Sequence, residues 1–239
     1  MRIALMVIRL LPIVPYYLYR IWKYGKREDF SIEESFFYIK KVVTNANRAG
    51  RVTVDARGME KLPQKDGYML FPNHQGLYDV LAILETMPRP VSFVIKKEAS
   101  NIILLKQVVA ALKAYPMDRE DIRQSMKVIQ QVAEDVKKGK NVLIFAEGTR
   151  SKKGNELLDF KGGSFKSATK SMCPIVPCAL IDCFIPFDEN SIRPLTVKVR
   201  YLDPIYYQEY KDMSTKEIAA LVKQRIERAI AMEQSSGAE

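Results

Sequence analysis

From residue 52 onward the chain alternates short apolar runs with stretches of helical periodicity, and this alternation narrows the fold more than any other feature. The runs lie at 52–54, 68–71, 91–95, 142–145, 175–181 and 196–201. They are rich in Val, Ile, Leu and Phe, and several are apolar at every position, as strands are when their sheet is covered on both faces. Between them, the spacing of Ile122, Met126, Ile129, Ala133 and Val136 predicts a helix over about 121–138, with Gly139 as its stop. A last helix is predicted from a capping box at Ser214 and Glu217, followed by Ile218, Leu221, Val222, Ile226 and Ile230. Such a pattern predicts an α/β fold, a mostly parallel or mixed sheet flanked by helices.

In 239 residues, 47% hydrophobic and 28% charged, there is apolar material for a full core and too much charge for a multispanning membrane protein or too little disorder-promoting bias for an unfolded chain. Nothing resembles a linker, so residues 51–239 are read as one α/β domain preceded by an N-terminal element at 1–50. Thirty-eight Lys and Arg against 28 Asp and Glu give a net charge of +10, which points to anionic partners. Nucleic acid is not expected among them: there is no zinc-finger spacing, Arg-rich arm or aromatic strand pattern of the RNA-binding kind. The three cysteines, Cys173, Cys178 and Cys183, have no CxxC spacing and sit in or beside apolar runs, as thiols do in a reducing compartment. With one histidine in the chain no metal centre is expected, and any histidine chemistry must use His74.

The N-terminus is the segment that asks for a membrane. Residues 3–22 are mostly apolar but interrupted by Arg9, Pro12, Pro15 and Arg20, and the longest uncharged stretch falls short of the ~20 residues that span a bilayer. Arg9 also breaks the apolar region a secretory signal would need. The pattern suits an interfacial anchor: aliphatics for the acyl boundary, Tyr16, Tyr17, Tyr19 and Trp22 at headgroup depth, and Arg20, Lys23, Lys26 and Arg27 toward anionic phospholipid. The alternative is an ordinary helix on the core. A second helix is predicted from a capping box at Ser31 and Glu34, with Ile32, Phe36, Ile39 and Val43 at helical spacing.

Active sites of α/β folds form at the carboxyl ends of the strands. Two polar segments stand there: Asn73, His74, Gln75, Gly76, Leu77, Tyr78 and Asp79 after one strand, and Glu147, Gly148, Thr149, Arg150 and Ser151 after another. A carboxylate that fixes the tautomer of an imidazole makes it a base near neutral pH, so His74 and Asp79 are a candidate pair. Five residues along an ideal helix separate two side chains by about 140°, so the pair can meet only if His74 precedes the helix. A structural histidine beside an aspartate is the competing reading. No G-x-S-x-G elbow supplies a serine nucleophile. In the second segment Gly148 allows a sharp turn and Arg150 is able to grip phosphate, unless it simply pairs with Glu147. Lys96 and Lys97 at one strand end, and Arg119 beyond Tyr115, Pro116 and Met117, are further cations for the same rim.

Together these segments resemble the lysophosphatidic acid acyltransferase family, the 1-acyl-sn-glycerol-3-phosphate O-acyltransferases. The N-H-x-x-x-x-D motif is matched by Asn73, His74 and Asp79, and F-P-E-G-T-R-S by Phe145 and residues 147–151, with Ala146 in place of the proline. The second family motif is matched at Arg119 only, since Lys113 and Pro116 take its glycine and aromatic places. Pro177 within its apolar strand, the stretch Phe160, Lys161, Gly162, Gly163, and the strand-end lysines are also similar, and Gly76 stands where a serine is frequent. The resemblance implies a sheet of about seven strands behind an N-terminal two-helix membrane-binding element on the cytoplasmic face of the membrane. It implies that His74, oriented by Asp79, deprotonates the sn-2 hydroxyl of lysophosphatidic acid for attack on an acyl-CoA or acyl carrier protein thioester, with no metal, cofactor or covalent intermediate. Asn73, Lys96, Lys97, Arg119, Glu147, Gly148, Thr149 and Arg150 are then the expected substrate-binding residues. Two alternatives remain at this point: another lipid acceptor such as glycerol 3-phosphate or a lysophospholipid, and a noncatalytic basic adaptor on membranes.

Overall fold

The computed structural model describes residues 1–27 and 30–235, with Ile103 and Leu104 as backbone only. Three helices come first, α1 (Arg2–Leu10), α2 (Val14–Lys26) and α3 (Ile32–Ala49). The body then runs β1 (Val52–Arg57), β2 (Met69–Pro72), α4 (Asp79–Thr86), β3 (Ser92–Lys96), α5 (Ile103–Ala111), β4 (Tyr115–Met117), α6 (Ile122–Lys137) and β5 (Val142–Leu143). It closes with α7 (Lys166–Ser171), β6 (Ile175–Ile181), α8 (Ile185–Asp188), β7 (Leu195–Tyr201), α9 (Tyr207–Tyr210) and α10 (Thr215–Ser235).

Seven strands form one sheet in the order β1-β7-β6-β2-β5-β3-β4. Five of them, β6 to β4, are parallel, and β7 turns antiparallel to β6 with β1 parallel beside it. The mixed sheet expected from the alternation is therefore present. Successive strand side chains point to opposite faces, and the core divides accordingly. Leu70, Leu143, Val176, Cys178 and Leu180 lie in the layer under α3 and α4, whereas Met69, Phe71, Val142, Ile175 and Ala179 lie in the layer under α6, α7 and α10. This two-sided burial is why the strands read as continuous apolar runs.

The order of the strands places the site. From β2 the chain crosses by α4 to β3, on one side, and from β5, the immediate neighbour of β2, it crosses by α7 to β6 on the other. Adjacent strands whose connections leave in opposite directions open a crevice at their carboxyl ends. His74 follows β2 and Glu147 follows β5, so both motif segments stand on this crevice.

Three expectations are refined. The predicted first helix is broken into α1 and α2, bent by 94°, with Pro12 in the break and Pro15 in the first turn of α2, where a missing N–H costs no hydrogen bond. No single described helix is long and apolar enough to cross a membrane. The strand β4 is absent from the predicted apolar runs; it is short and carries Pro116, which an edge strand tolerates. Finally, Ile122 and Met126, read as core positions of α6, are 77% and 49% exposed, because the buried part of that stripe starts only at Val132.

Both capping boxes are present. Ser31 and Glu34 exchange side-chain and backbone bonds at α3, and Ser214 and Glu217 do so at α10.

Candidate active site

Pro72, the last residue of β2, has no N–H with which to continue the ladder, and the Asn73 side chain takes over the pairing. Its Nδ2 donates to the Leu180 carbonyl at 3.0 Å and its Oδ1 accepts from the Leu180 amide at 2.7 Å. Asn73 is buried and both polar ends are engaged. It is thus a staple between β2 and β6, and the residue expected from the motif to bind substrate has both side-chain polar ends engaged in the sheet.

The chain then turns, and α4 begins only at Asp79, so His74 stands ahead of the helix as the angular argument required. His74 Nδ1 lies 2.7 Å from Asp79 Oδ2. The amides of Gln75 and Gly76 also donate to that carboxylate, at 2.6 Å and 3.1 Å. With two backbone amides donating to it, Asp79 faces Nδ1 as an acceptor, and that arrangement places the imidazole proton on Nδ1 and leaves the Nε2 lone pair free to accept one. Burial pushes the Asp79 carboxyl above the ordinary range, and the bonds from His74, Gly76 and Gln75 draw it back. The ring stacks on Phe145 at 3.9 Å between centroids, and 19% of the side chain reaches solvent. Gly76 has a local reason: a Cβ there would come 3.1 Å from the Phe184 Cα.

Glu147 holds the histidine by its backbone. One carboxylate oxygen accepts the His74 amide at 2.6 Å and the other accepts the Leu158 amide at 2.9 Å, while the Ser151 amide donates to the His74 carbonyl at 2.8 Å. Both peptide groups of His74 are therefore tied to the second segment. Burial raises the Glu147 carboxyl above its usual value, against the pull of the two amides. Arg150 is half-buried and, among the described residues, has no ion pair, so the pairing of Arg150 with Glu147 is not formed. Gly148 sits at φ +74°, a left-handed conformation that glycine adopts without strain, and it turns Thr149 and Arg150 outward to the exposed side.

The outer cations end or follow β3 and β4, the two strands beyond β5. Lys96 ends β3, one strand beyond β5, and lies 3.6 Å from Glu98; Lys97 lies 3.3 Å from Asp118; Arg119 follows β4 at the sheet margin.

Residues the motifs did not single out complete the frame. Buried Gln75 accepts from the Cys183 amide and donates to the Gly154 carbonyl and to Asn155 Oδ1, and Asn155 in turn bonds the Asp182 side chain and amide. This clamp joins the loops after β2, β5 and β6. Asp182, at φ +61°, is the one sequence-silent hint, since a carboxylate residue tolerates that conformation better than most.

The His74–Asp79 pair and the turn that bears Arg150 thus form one unit at the crevice, joined through the His74 backbone. Comparison with known proteins places these segments in a family. The family model described as Acyltransferase matches residues 53–181, which contain both segments. A 1-acyl-sn-glycerol-3-phosphate acyltransferase of Cocos nucifera is 33% identical over 143 residues, 59% of this chain and 46% of that protein. One from Helicobacter pylori is 24% identical over 199 residues, 76% of this chain and 84% of its own. Against the plant relatives, then, the chain spans about half of the length or less. In fold it is similar to the crystal structure of the 1-acyl-sn-glycerophosphate acyltransferase PlsC of Thermotoga maritima, with a TM-score of 0.76, 20% identity and 98% of both chains covered. With a family match over more than half of its length that includes the His74 and Glu147 segments, this chain belongs to the acyltransferase family.

Proposed function

We propose that the chain transfers a fatty-acyl group from an acyl-CoA or acyl carrier protein thioester to the sn-2 hydroxyl of 1-acyl-sn-glycerol 3-phosphate, forming phosphatidic acid. The observation that carries this reading is the His74–Asp79 pair at 2.7 Å, fixed by backbone to the turn that bears Arg150. His74 Nε2 takes the hydroxyl proton as the oxygen attacks the thioester carbonyl. A tetrahedral oxyanion forms, collapses, and expels the thiolate, to which the imidazolium returns the proton. Asp79 keeps the imidazole in one tautomer and balances its charge. No covalent acyl-enzyme enters this sequence. Arg150, with the Thr149 hydroxyl beside it, binds the acceptor phosphate, and Lys96, Lys97 and Arg119 extend a positive rim. The names of the relatives favour lysophosphatidic acid as acceptor.

The same reading puts the chain on the cytoplasmic face of a membrane. Ile3, Val7, Ile8, Leu11, Tyr16, Leu18, Tyr19 and Trp22 are exposed on α1 and α2, a density of apolar surface that suits an interface between lipid and water. Phosphatidic acid formation by the His74→Ala variant tests the mechanism: a loss of about 10² to 10⁴ in kcat is expected for a general base, and undiminished turnover would remove His74 from that role.

A further inference from the structure

Within the turn that follows β5, one more cation is held in place. The stem of Lys161 crosses Gly148: a Cβ on that glycine would lie 3.0 Å from Lys161 Nζ, 3.2 Å from Cε and 3.3 Å from Cδ. The lysine therefore lies in the groove that the missing side chain leaves, with its ammonium beside Gly148, two residues before Arg150.

Its backbone is fixed. The Lys161 amide donates to the Ala146 carbonyl at 2.8 Å, and its carbonyl accepts from Ser164 at 2.9 Å. Phe160 before it is buried, and Gly162 after it is wedged against the Thr215 and Lys216 backbone, where a Cβ would meet the Thr215 oxygen at 3.1 Å. Lys161 is exposed, and among the described residues it has no carboxylate partner. Other lysines of the body differ. Lys223 is bound to Asp159, Lys97 lies against Asp118 and Lys96 against Glu98.

We infer that Lys161 is a second phosphate ligand beside Arg150, and that the two cations select acceptors bearing a terminal phosphomonoester over those bearing a phosphodiester headgroup. The inference rests on the acyl-transfer reading and deepens it by naming a residue that sets the acceptor class. A phosphomonoester carries a charge of about −1.5 to −2 at neutral pH and three terminal oxygens. A diester carries one charge and two. One cation matches the single charge of a diester, and the larger charge of a monoester suits a second, which Lys161 brings to Gly148. The amides of Thr149 and Arg150 have no acceptor among the described residues, so the turn has N–H groups to add to the two cations.

The test compares wild type, Lys161→Met and Lys161→Arg in the full chain, with 1-acyl-sn-glycerol 3-phosphate and a lysophospholipid diester as acceptors. Loss of one charge-assisted bond predicts that Lys161→Met reduces kcat/KM for the monoester roughly ten- to a hundredfold, mostly through KM, with little change for the diester and partial recovery in Lys161→Arg. Equal losses for both acceptors, or none for the monoester, would overturn the inference. Calorimetric titration of a soluble short-chain lysophosphatidic acid, without donor, decides the lysine separately from turnover. Weaker binding by Lys161→Met supports it, and equal affinity overturns it. Binding by wild type without acyl transfer would sink the proposed reaction while leaving this phosphate site standing.

Discussion

At the scale of single residues, the sequence displays the chemistry and hides its mounting. His74 and Asp79 are legible because five residues separate them across a turn, and Arg150 because it follows a glycine at a strand end. The bonds that fix them are long-range: His74 to Glu147, Gln75 to Asn155 and Cys183, Asn73 to Leu180. No local pattern encodes these. Glu147 shows the consequence, since its role toward the His74 amide differs from the arginine partnership its position suggests. Glu147→Gln keeps one acceptor oxygen and turns an NH2 toward the other amide, so one tether is lost. A drop on the order of a hundredfold in kcat is expected if His74 then shifts by about an ångström. A pH dependence follows from the raised carboxyl. Because native Glu147 holds its proton to higher pH than the unfolded chain does, wild-type stability declines as pH rises from about 4.5 through the raised value, and the variant lacks that decline. The stability gap between wild type and variant should therefore narrow with rising pH across that window in urea titrations. A widening gap would mean that the two amide bonds outweigh the cost of burial.

At the scale of elements, continuous apolar strands and long amphipathic helices are readable even where the strand is as short as β5, and elements without such a pattern are not. Strand β6 matches its apolar run at both ends, and β4, three residues with a proline, has too little pattern to register. The stripe on α6 was readable as a helix but not as burial, since periodicity says which face is apolar and not how far a neighbour covers it. Helix α10 illustrates a contact beyond any periodicity. Near its end Glu233 bonds Arg200 of β7 at 2.5 Å and Lys198 at 3.0 Å, and Arg200 also reaches Asp55 of β1 at 2.6 Å. Arg200, chiefly, holds the Glu233 carboxyl down at about 2. A depressed carboxyl contributes stability that is present above its ordinary value near 4.5 and is lost as pH falls through the folded value. Glu233→Gln should thus destabilise the fold at pH 7, and its difference from wild type should shrink between pH 4.5 and pH 2. A difference constant over that range would show that packing, not charge, ties α10 to β7.

For the whole molecule, the question is how an α/β body meets a lipid substrate, and the N-terminal helices bear on it in two ways. They are joined to the body: Met6 and Ile21 belong to the core, the buried Arg2 donates to the carbonyls of Gly50 and Arg193, and Gly25 of α2 lies against α5, where a Cβ would touch the Ala110 methyl at 3.1 Å. They also keep an outer face of exposed aliphatic and aromatic side chains. Excision of these helices would strip the core as well as the outer face, so the membrane role calls for substitutions confined to the exposed side. Ile8 and Leu11, 69% and 61% exposed, meet that condition. Each full burial of such a side chain is worth about 1.5–3 kcal/mol, so Ile8→Glu with Leu11→Glu should weaken binding to vesicles of anionic phospholipid by at least a hundredfold while the melting temperature stays within a few degrees. The basic side chains contribute less than their number suggests, because Arg20 is folded onto Tyr16, Tyr24 and Tyr38 and Lys26 lies over Trp22. Added salt should then weaken vesicle binding only modestly. If instead salt abolished binding and the double variant bound normally, attraction would reside in the +10 charge of the body and the exposed helices would have some other occupant.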